Sequence, residues 1–281
     1  MRRDWKRSVR CWAALSPILA LTLFPFAIML STALKPTAEV LIYPPRWLPI
    51  HWSLHSFIAM WQAVHFGVGL ENSLTIGALS TLLVIAVSVP AGYALCRFPF
   101  AGRASYRQFL LTTQMLSPVL LVLGLFRLAA SIHIDGATLV DTRLAVIVAY
   151  AGFNLAFAVW MLASYFAAIP TELEEAAWID GCGRLRAMVH IFLPLALPAI
   201  AVTAIVTFVA CWNEFVVALT LLRSPSKQTV TLQVVNLVAG RYTVEWNQVM
   251  AATLAATVPV AALFIWLQRY LVRGLALGGV K

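Results

Sequence analysis

Charge is scarce in this sequence. Only 11% of its 281 residues are Asp, Glu, Lys or Arg, against roughly 25% in soluble globular domains. That shortage excludes a soluble enzyme and a disordered chain. Cysteine is scarce too: Cys11, Cys96, Cys182 and Cys211 stand far apart with no CxxC. A disulfide scaffold is excluded, and free thiols are expected rather than a metal site. No G-x-x-x-x-G-K-[ST] occurs, so the chain cannot cradle ATP phosphates on a P-loop. The apolar stretches carry no Ser/His or His/Asp/Glu constellation, so no enzyme is expected. What fills the chain instead is apolar: 62% of residues are hydrophobic, with a mean hydropathy of +0.87.

The spacing of the few charges is informative. Six uncharged windows, 11–34, 72–96, 108–126, 144–171, 187–213 and 246–268, separate them. The shortest window holds 19 residues (126 − 108 + 1). A helix rising about 1.5 Å per residue needs about 20 residues to cross roughly 30 Å of hydrocarbon. Lipid offers the backbone no hydrogen-bond partner, so segments this long span as helices. The apolar/polar alternation of an outer-membrane strand is absent. The expected fold is an all-α integral membrane protein with six transmembrane helices. Its expected parts are a tail 1–10, a first helix 11–34, an outer segment 35–71 and a core domain 72–271. Within the core, helices are expected at about 72–96, 108–130, 144–169, 195–222 and 247–270, and a tail 272–281 follows. The first apolar run, 24 residues long (34 − 11 + 1), exceeds the roughly 7–15 of a signal sequence. It is therefore read as an uncleaved helix, although Ser31, Thr32 and Ala33 would suit cleavage.

Lys and Arg collect on the cytoplasmic side of short loops. With the N-terminus inside, Arg2, Arg3, Lys6, Arg7, Arg10, Arg97, Arg103, Arg107, Arg184, Arg186, Arg269, Arg273 and Lys281 face inward. Lys35, Arg46, Arg143, Arg223, Lys227 and Arg241 face outward, with Arg127 near the outer end of the third helix. The excess puts both termini in the cytoplasm. It also lets anionic lipid, not nucleic acid, account for the net charge of +9.

One loop is too organised to be a plain connector. Pro170 stops the fourth helix, and Thr171 with Glu174 forms a T-x-x-E capping box that starts another. Glu172, Glu174 and Glu175 occupy its first turn, where the helix dipole favours negative charge. Ala176 and Ala177 keep one surface thin, Gly181 and Gly183 turn the chain, and Leu193-Pro194 leads into the fifth helix. Glu175-Ala176-Ala177, Asp180-Gly181 and Leu193-Pro194, set before the penultimate span, resemble the EAA loop of ABC importer permeases. Asn72-Ser73, the run Tyr93-Ala94-Leu95-Cys96-Arg97-Phe98 with Gly102-Arg103, Trp212-Asn213-Glu214-Phe215, and the ending Gln268-Arg269-Tyr270…Gly274…Gly278-Gly279-Val280-Lys281 narrow the likeness. They are similar to the shorter of the two permeases in carbohydrate importers of the maltose and glycerol phosphate kind. Cys211 stands where that family usually has a further polar residue.

The resemblance implies a type I importer fold in a bacterial cytoplasmic membrane. It also implies a heterodimer with a second permease, two ATPase subunits that bind the ATP, and an extracytoplasmic solute-binding protein. No cofactor is expected in this chain. Glu174, Glu175, Ala176, Ala177, Asp180, Gly181, Leu193 and Pro194 in the loop 170–194 are implied to couple to the ATPase. Asn72, Trp212, Asn213, Glu214 and Phe215 are candidates for the path or gate, with packing against the partner permease as the other reading. By the same resemblance, the outer segment 223–247, with Lys227, Arg241 and Tyr242, is where a permease meets its binding protein, with a solvated connector as the other reading.

The alternative is a carrier driven by an ion gradient without an ATPase. Such carriers place ionisable groups at mid-membrane, and here only Glu214 and Arg127 approach that description. Glu214 lies about 30 Å beyond Pro194 along a helix, and Arg127 lies at a similar rise. Two readings stand for them: a pair that lowers each other's cost, or two separate interfacial charges. Pro90 and Pro118 are expected kink points. Trp47, Trp52 and Trp61 suit the membrane interface. His51, His55 and His65 lack the acids or cysteines that would complete a metal site.

Overall fold

A computed structural model of the chain describes residues 2–134, 136–239 and 242–278. Arg241 and the expected ending at Gly279-Val280-Lys281 lie outside them. The described residues fall into two units: residues up to Gly67 with Gln233–Val258, and Val68–Leu232 with the residues from Pro259 onward.

In the first unit, α1 (Arg2–Ala33) presents an apolar face to its surroundings along most of its length, with Leu21 and Leu23 exposed. Short helices α2 (Thr37–Val40) and α3 (His55–Ala63) follow. A buried polar knot fixes this segment. Asn247 Nδ2 lies 3.0 Å from Ser56 Oγ and 3.1 Å from Thr37 Oγ1, while Glu39 accepts the Ile50 amide at 2.6 Å. The expected outer segment 35–71 is thus partly helical. Trp47 and Trp52 are exposed within it, as interfacial residues are.

The second unit holds most of the spans. Its helices are α4 (Phe66–Arg97, of which Phe66 and Gly67 belong to the first unit), α5 (Arg103–Thr113), α6 (Pro118–Ser131) and α7 (Arg143–Phe166). A two-residue ladder, β1 (His133–Ile134) with β2 (Ala137–Thr138), joins α6 to α7. Beyond α7 come α8 (Glu172–Ile179), α9 (Arg184–Ala187), a π turn at Met188–Phe192, α10 (Leu193–Asn213), α11 (Val216–Leu221) and α12 (Val230–Asn236, of which Gln233–Asn236 belong to the first unit). Helix α13 (Trp246–Gly278) passes through both units.

Among the described residues, five helices are long and apolar enough to cross a membrane, and α5 with α6 makes a sixth span if counted together. That third span is not the single helix expected over 108–130: it breaks at the expected kink point, Pro118, into two helices. The axes of α5 and α6 diverge by 95°. Pro118 is the cause: it drives Ser117 into an extended conformation, ψ 132°, and then opens a new helix at its own preset φ. The fifth span is also interrupted. The expected helix 195–222 stops at Asn213 and restarts at Val216. Ahead of it, the π turn stands where Pro194 cannot donate to a carbonyl one turn back.

Packing inside this unit is close. A Cβ on Gly92 of α4 would lie 3.3 Å from the Ala163 backbone nitrogen of α7, so glycine lets the two helices touch. Tyr93, Phe166 and Phe192 form an aromatic core, with Phe192 centred 4.9 Å from Tyr93 and 4.8 Å from Phe166. A second core gathers around Val146, Tyr150, Val217, Ala218 and Leu221.

Candidate functional site

Helix α8 is short, and a helix of eight residues is marginal in water by itself. Its stability comes from an anchor. Glu174 is buried, and its carboxylate accepts from Arg97 Nε at 2.6 Å and from Tyr93 Oη at 2.8 Å. A second nitrogen of Arg97 donates to the Ile169 carbonyl at 2.8 Å, at the end of the preceding span. The guanidinium also sits 5.3 Å from the Phe192 ring centre, a cation–π distance. One arginine at the end of α4 therefore grips both ends of the turn into α8. The Arg97 and Glu174 side chains are only 12% and 3% exposed, so the pair is largely desolvated.

This geometry corrects the expected capping box. Thr171 is helical in conformation and makes no side-chain cap bond. Glu174 cannot reach back to it because Arg97 and Tyr93 hold both of its oxygens. The run from Tyr93 to Arg97, noted in the sequence only for its resemblance, supplies the grip. Charge spacing along the chain gives no sign of this, because the partners lie 77 residues apart.

Of the other loop residues, Ala177 is buried beside Glu174, whereas Glu175, Ala176, Asp180 and Gly181 are exposed. Gly181 turns the chain at φ +80°, a conformation an L side chain would resist. Leu193 is half-buried and Pro194 exposed. The outward surface of α8 and its continuation mixes apolar and charged side chains: Leu173 is 44%, Ile179 86% and Leu185 74% exposed, beside exposed Glu172, Glu175, Arg184 and Arg186.

The path candidates separate. Asn72 is fully buried and donates to the carbonyls of Ser226 and Gln228 at 3.0 and 2.9 Å, so it straps the 226–228 segment and is not exposed to a path. Trp212 is buried against Phe208, Phe215 packs on the second core, and Asn213 is exposed. Glu214 lines a cavity. That cavity has a volume of about 250 Å³ and mixes polar Thr113, Gln114, Tyr150 and Asn154 with apolar Leu116, Pro118, Phe153 and Ala210. The helix break explains its position. The Glu214 carboxylate accepts from the Val217 amide at 3.0 Å and the Ala218 amide at 3.3 Å, and so starts α11 itself. Its carbonyl accepts from Tyr150 Oη at 3.2 Å. Glu214 does not pair with Arg127. Among the described residues the ion pairs within 4.0 Å are Arg97–Glu174 and Lys227–Asp141, and amides occupy the Glu214 carboxylate instead.

Asp141 supplies an anchor the sequence did not reveal. Its backbone is left-handed, φ +61°, which aspartate tolerates better than most residues. Its carboxylate accepts from the Arg223 and Ser224 amides at 2.9 and 3.0 Å, from Ser224 Oγ at 2.6 Å and from Lys227 Nζ at 3.2 Å. Partial burial raises the carboxyl pKa, but the Ser224, Arg223 and Lys227 hydrogen bonds outweigh it and hold it well below the usual aspartate range. A carboxylate whose folded pKa is depressed contributes stability above its unfolded pKa, and loses it as pH falls through the folded value. Asp141→Asn should therefore lower thermal stability at neutral pH by about 1.5–3 kcal/mol. The gap to the unsubstituted protein should narrow below about pH 4, where unfolded aspartate protonates. Unfolding curves of both proteins in detergent, taken across that range, check the expectation.

A family model described as "Binding-protein-dependent transport system inner membrane component" matches residues 88–277, well over half the chain. The chain belongs to that family. Its likeness to curated relatives runs nearly end to end. It is 32% identical over 272 residues to the inner membrane ABC transporter permease protein YcjP of Escherichia coli, covering 96% of this chain and 95% of the relative. It is 33% identical to the sulfoquinovosyl glycerol transport system permease protein SmoH of Agrobacterium fabrum, covering 95% and 92%. It is 34% identical to the trehalose/maltose transport system permease protein MalG of Thermococcus litoralis, covering 78% and 77%. Among solved structures, a chain of a bacterial ABC transporter that imports the acidic polysaccharide alginate superposes with a TM-score of 0.76 at 19% identity, over 96% of this chain and 98% of that one. A chain of the MetNI methionine transporter gives 0.60 at 16% identity, over 75% and 95%. The fold is the type I importer permease fold. The protein is a multi-pass component of the inner membrane and not an enzyme.

Proposed function

We infer that this permease pairs with a second permease, two ATPase subunits and an extracytoplasmic binding protein, and imports a sugar or sugar-like solute. The sugar transport named for its relatives supports this reading. One observation carries the mechanism: α8 is locked to the bundle through Glu174 and Ala177 while its opposite surface, with Glu175 and Ile179, is exposed. An anchored helix whose exposed surface offers Ile179 beside the charged Glu175 suits docking on an ATPase, and loop 170–194 is the coupling segment. Both termini then lie in the cytoplasm, and ATP is bound by the partner, with no cofactor in this chain. Closure of the ATPase pair would push α8. Arg97 would carry the push into α4, because the buried ion pair makes α8 and the end of α4 move together. Glu214 lies on the path that opens.

Proteoliposomes containing both permeases, the ATPases and the binding protein test the function. Uptake of the solute held by the binding protein should require ATP inside and the binding protein outside. Uptake driven by an ion gradient without ATPase would overturn the reading in favour of a secondary carrier.

A further inference from the structure

We propose that this subunit itself carries a contact site for neutral polyhydroxylated solutes at the break between α10 and α11, built from Glu214, Asn154 and Gln114. The inference rests on the reading of Glu214 as part of the path. The cavity lies where two irregularities, the bend after α5 and the gap at Glu214–Phe215, meet the middle of α7. Irregular backbone at membrane depth is tolerated where it is buried in protein or lines a water-filled cavity. Helix breaks of this kind mark solute sites in other transport folds.

The unused hydrogen-bonding capacity defines the ligand. Glu214 spends Oε1 on the Val217 amide and Oε2 on the Val217 and Ala218 amides. A carboxylate offers about four lone-pair sites, so one on Oε1 remains. Asn154 uses its amide nitrogen on the Tyr150 carbonyl at 2.9 Å and on Cys211 Sγ at 3.7 Å, which leaves its Oδ1 to accept. Gln114 makes one long bond, to the Phe153 carbonyl at 3.4 Å, and is exposed. The free capacity is thus mostly acceptor, one of it anionic, and no Lys or Arg lines the cavity. Hydroxyl groups supply the donors such a wall takes, and a charged acceptor strengthens the bond. An anionic sugar would instead set a like charge against Glu214. The cavity, at about 250 Å³, is smaller than the roughly 300–1,000 Å³ that encloses drug-sized ligands. It suits passing contact with one sugar unit.

The test uses the assembled importer in proteoliposomes. Solute released from the purified binding protein is identified by mass spectrometry, labelled, and used as the probe. Moles of this probe taken up per ATP hydrolysed are then compared for the unmodified chain, Glu214→Gln, Asn154→Ala and Gln114→Ala. A neutral polyol or sugar is expected, with the ratio falling about tenfold for Glu214→Gln and several-fold for each amide variant. If Glu214→Gln fails to assemble, the two amide variants give the result. An anionic solute, or an unchanged ratio in every variant that assembles, overturns the site. In that case ATP-dependent uptake by the unmodified importer leaves the proposed function standing. Absence of that uptake overturns both.

Discussion

Glu174→Ala should destabilise the permease by about 3–5 kcal/mol, because it leaves the Arg97 guanidinium buried without its partner. The pair is largely shielded from water, with side-chain exposures of 12% and 3%, so solvent cannot take over the lost contact. Tyr93 Oη loses its acceptor in the same step. Glu174→Gln should do less damage, since an amide oxygen can still accept from Arg97 or Tyr93. Replacing the pair with well-packed apolar residues should be milder than either single removal of charge, since the ion pair's own desolvation cost disappears with it. Thermal unfolding of the purified complex gives the stability change. ATP hydrolysis stimulated by the binding protein should fall in parallel, since a loosened α8 no longer transmits movement to α4. A stable Glu174→Ala protein with unaltered stimulation would show that the anchor is dispensable.

Phe192→Ala should cost about 3–5 kcal/mol through the cavity it opens. Phe192 is almost wholly buried and meets Tyr93 and Phe166 edge-on, with Arg97 over its ring. The substitution removes the floor beneath the Arg97 anchor. Combined with Glu174→Ala, the losses should therefore sum to less than their separate values, because the residues share one cluster. Strict additivity in unfolding experiments would place Phe192 outside the anchor.

The spans were legible because lipid imposes one requirement, a long uncharged helix, which five of the six windows meet with one helix each. What escaped the sequence was how helices break and what holds them. Pro118 announced a kink, but a proline in the sequence does not state its size, here 95°. Glu214 read as a charge inside a helix. In the structure it ends one helix and starts the next with its own carboxylate. Thr171 and Glu174 had the spacing of a capping box, yet a buried guanidinium competes for a carboxylate more strongly than one local amide does. That competitor lies 77 residues away. Asn72 was a path candidate through the resemblance of Asn72-Ser73 to the carbohydrate permeases. The 226–228 carbonyls claim it instead.

The most direct experiment places a single cysteine at Ile179 of α8, which is 86% exposed, in a chain whose native cysteines are replaced. In membranes containing the whole importer, it should cross-link to the ATPase subunit and react with an impermeant thiol reagent only from the cytoplasmic side. Labelling from the outer side, with no cross-link to the ATPase, would contradict the account.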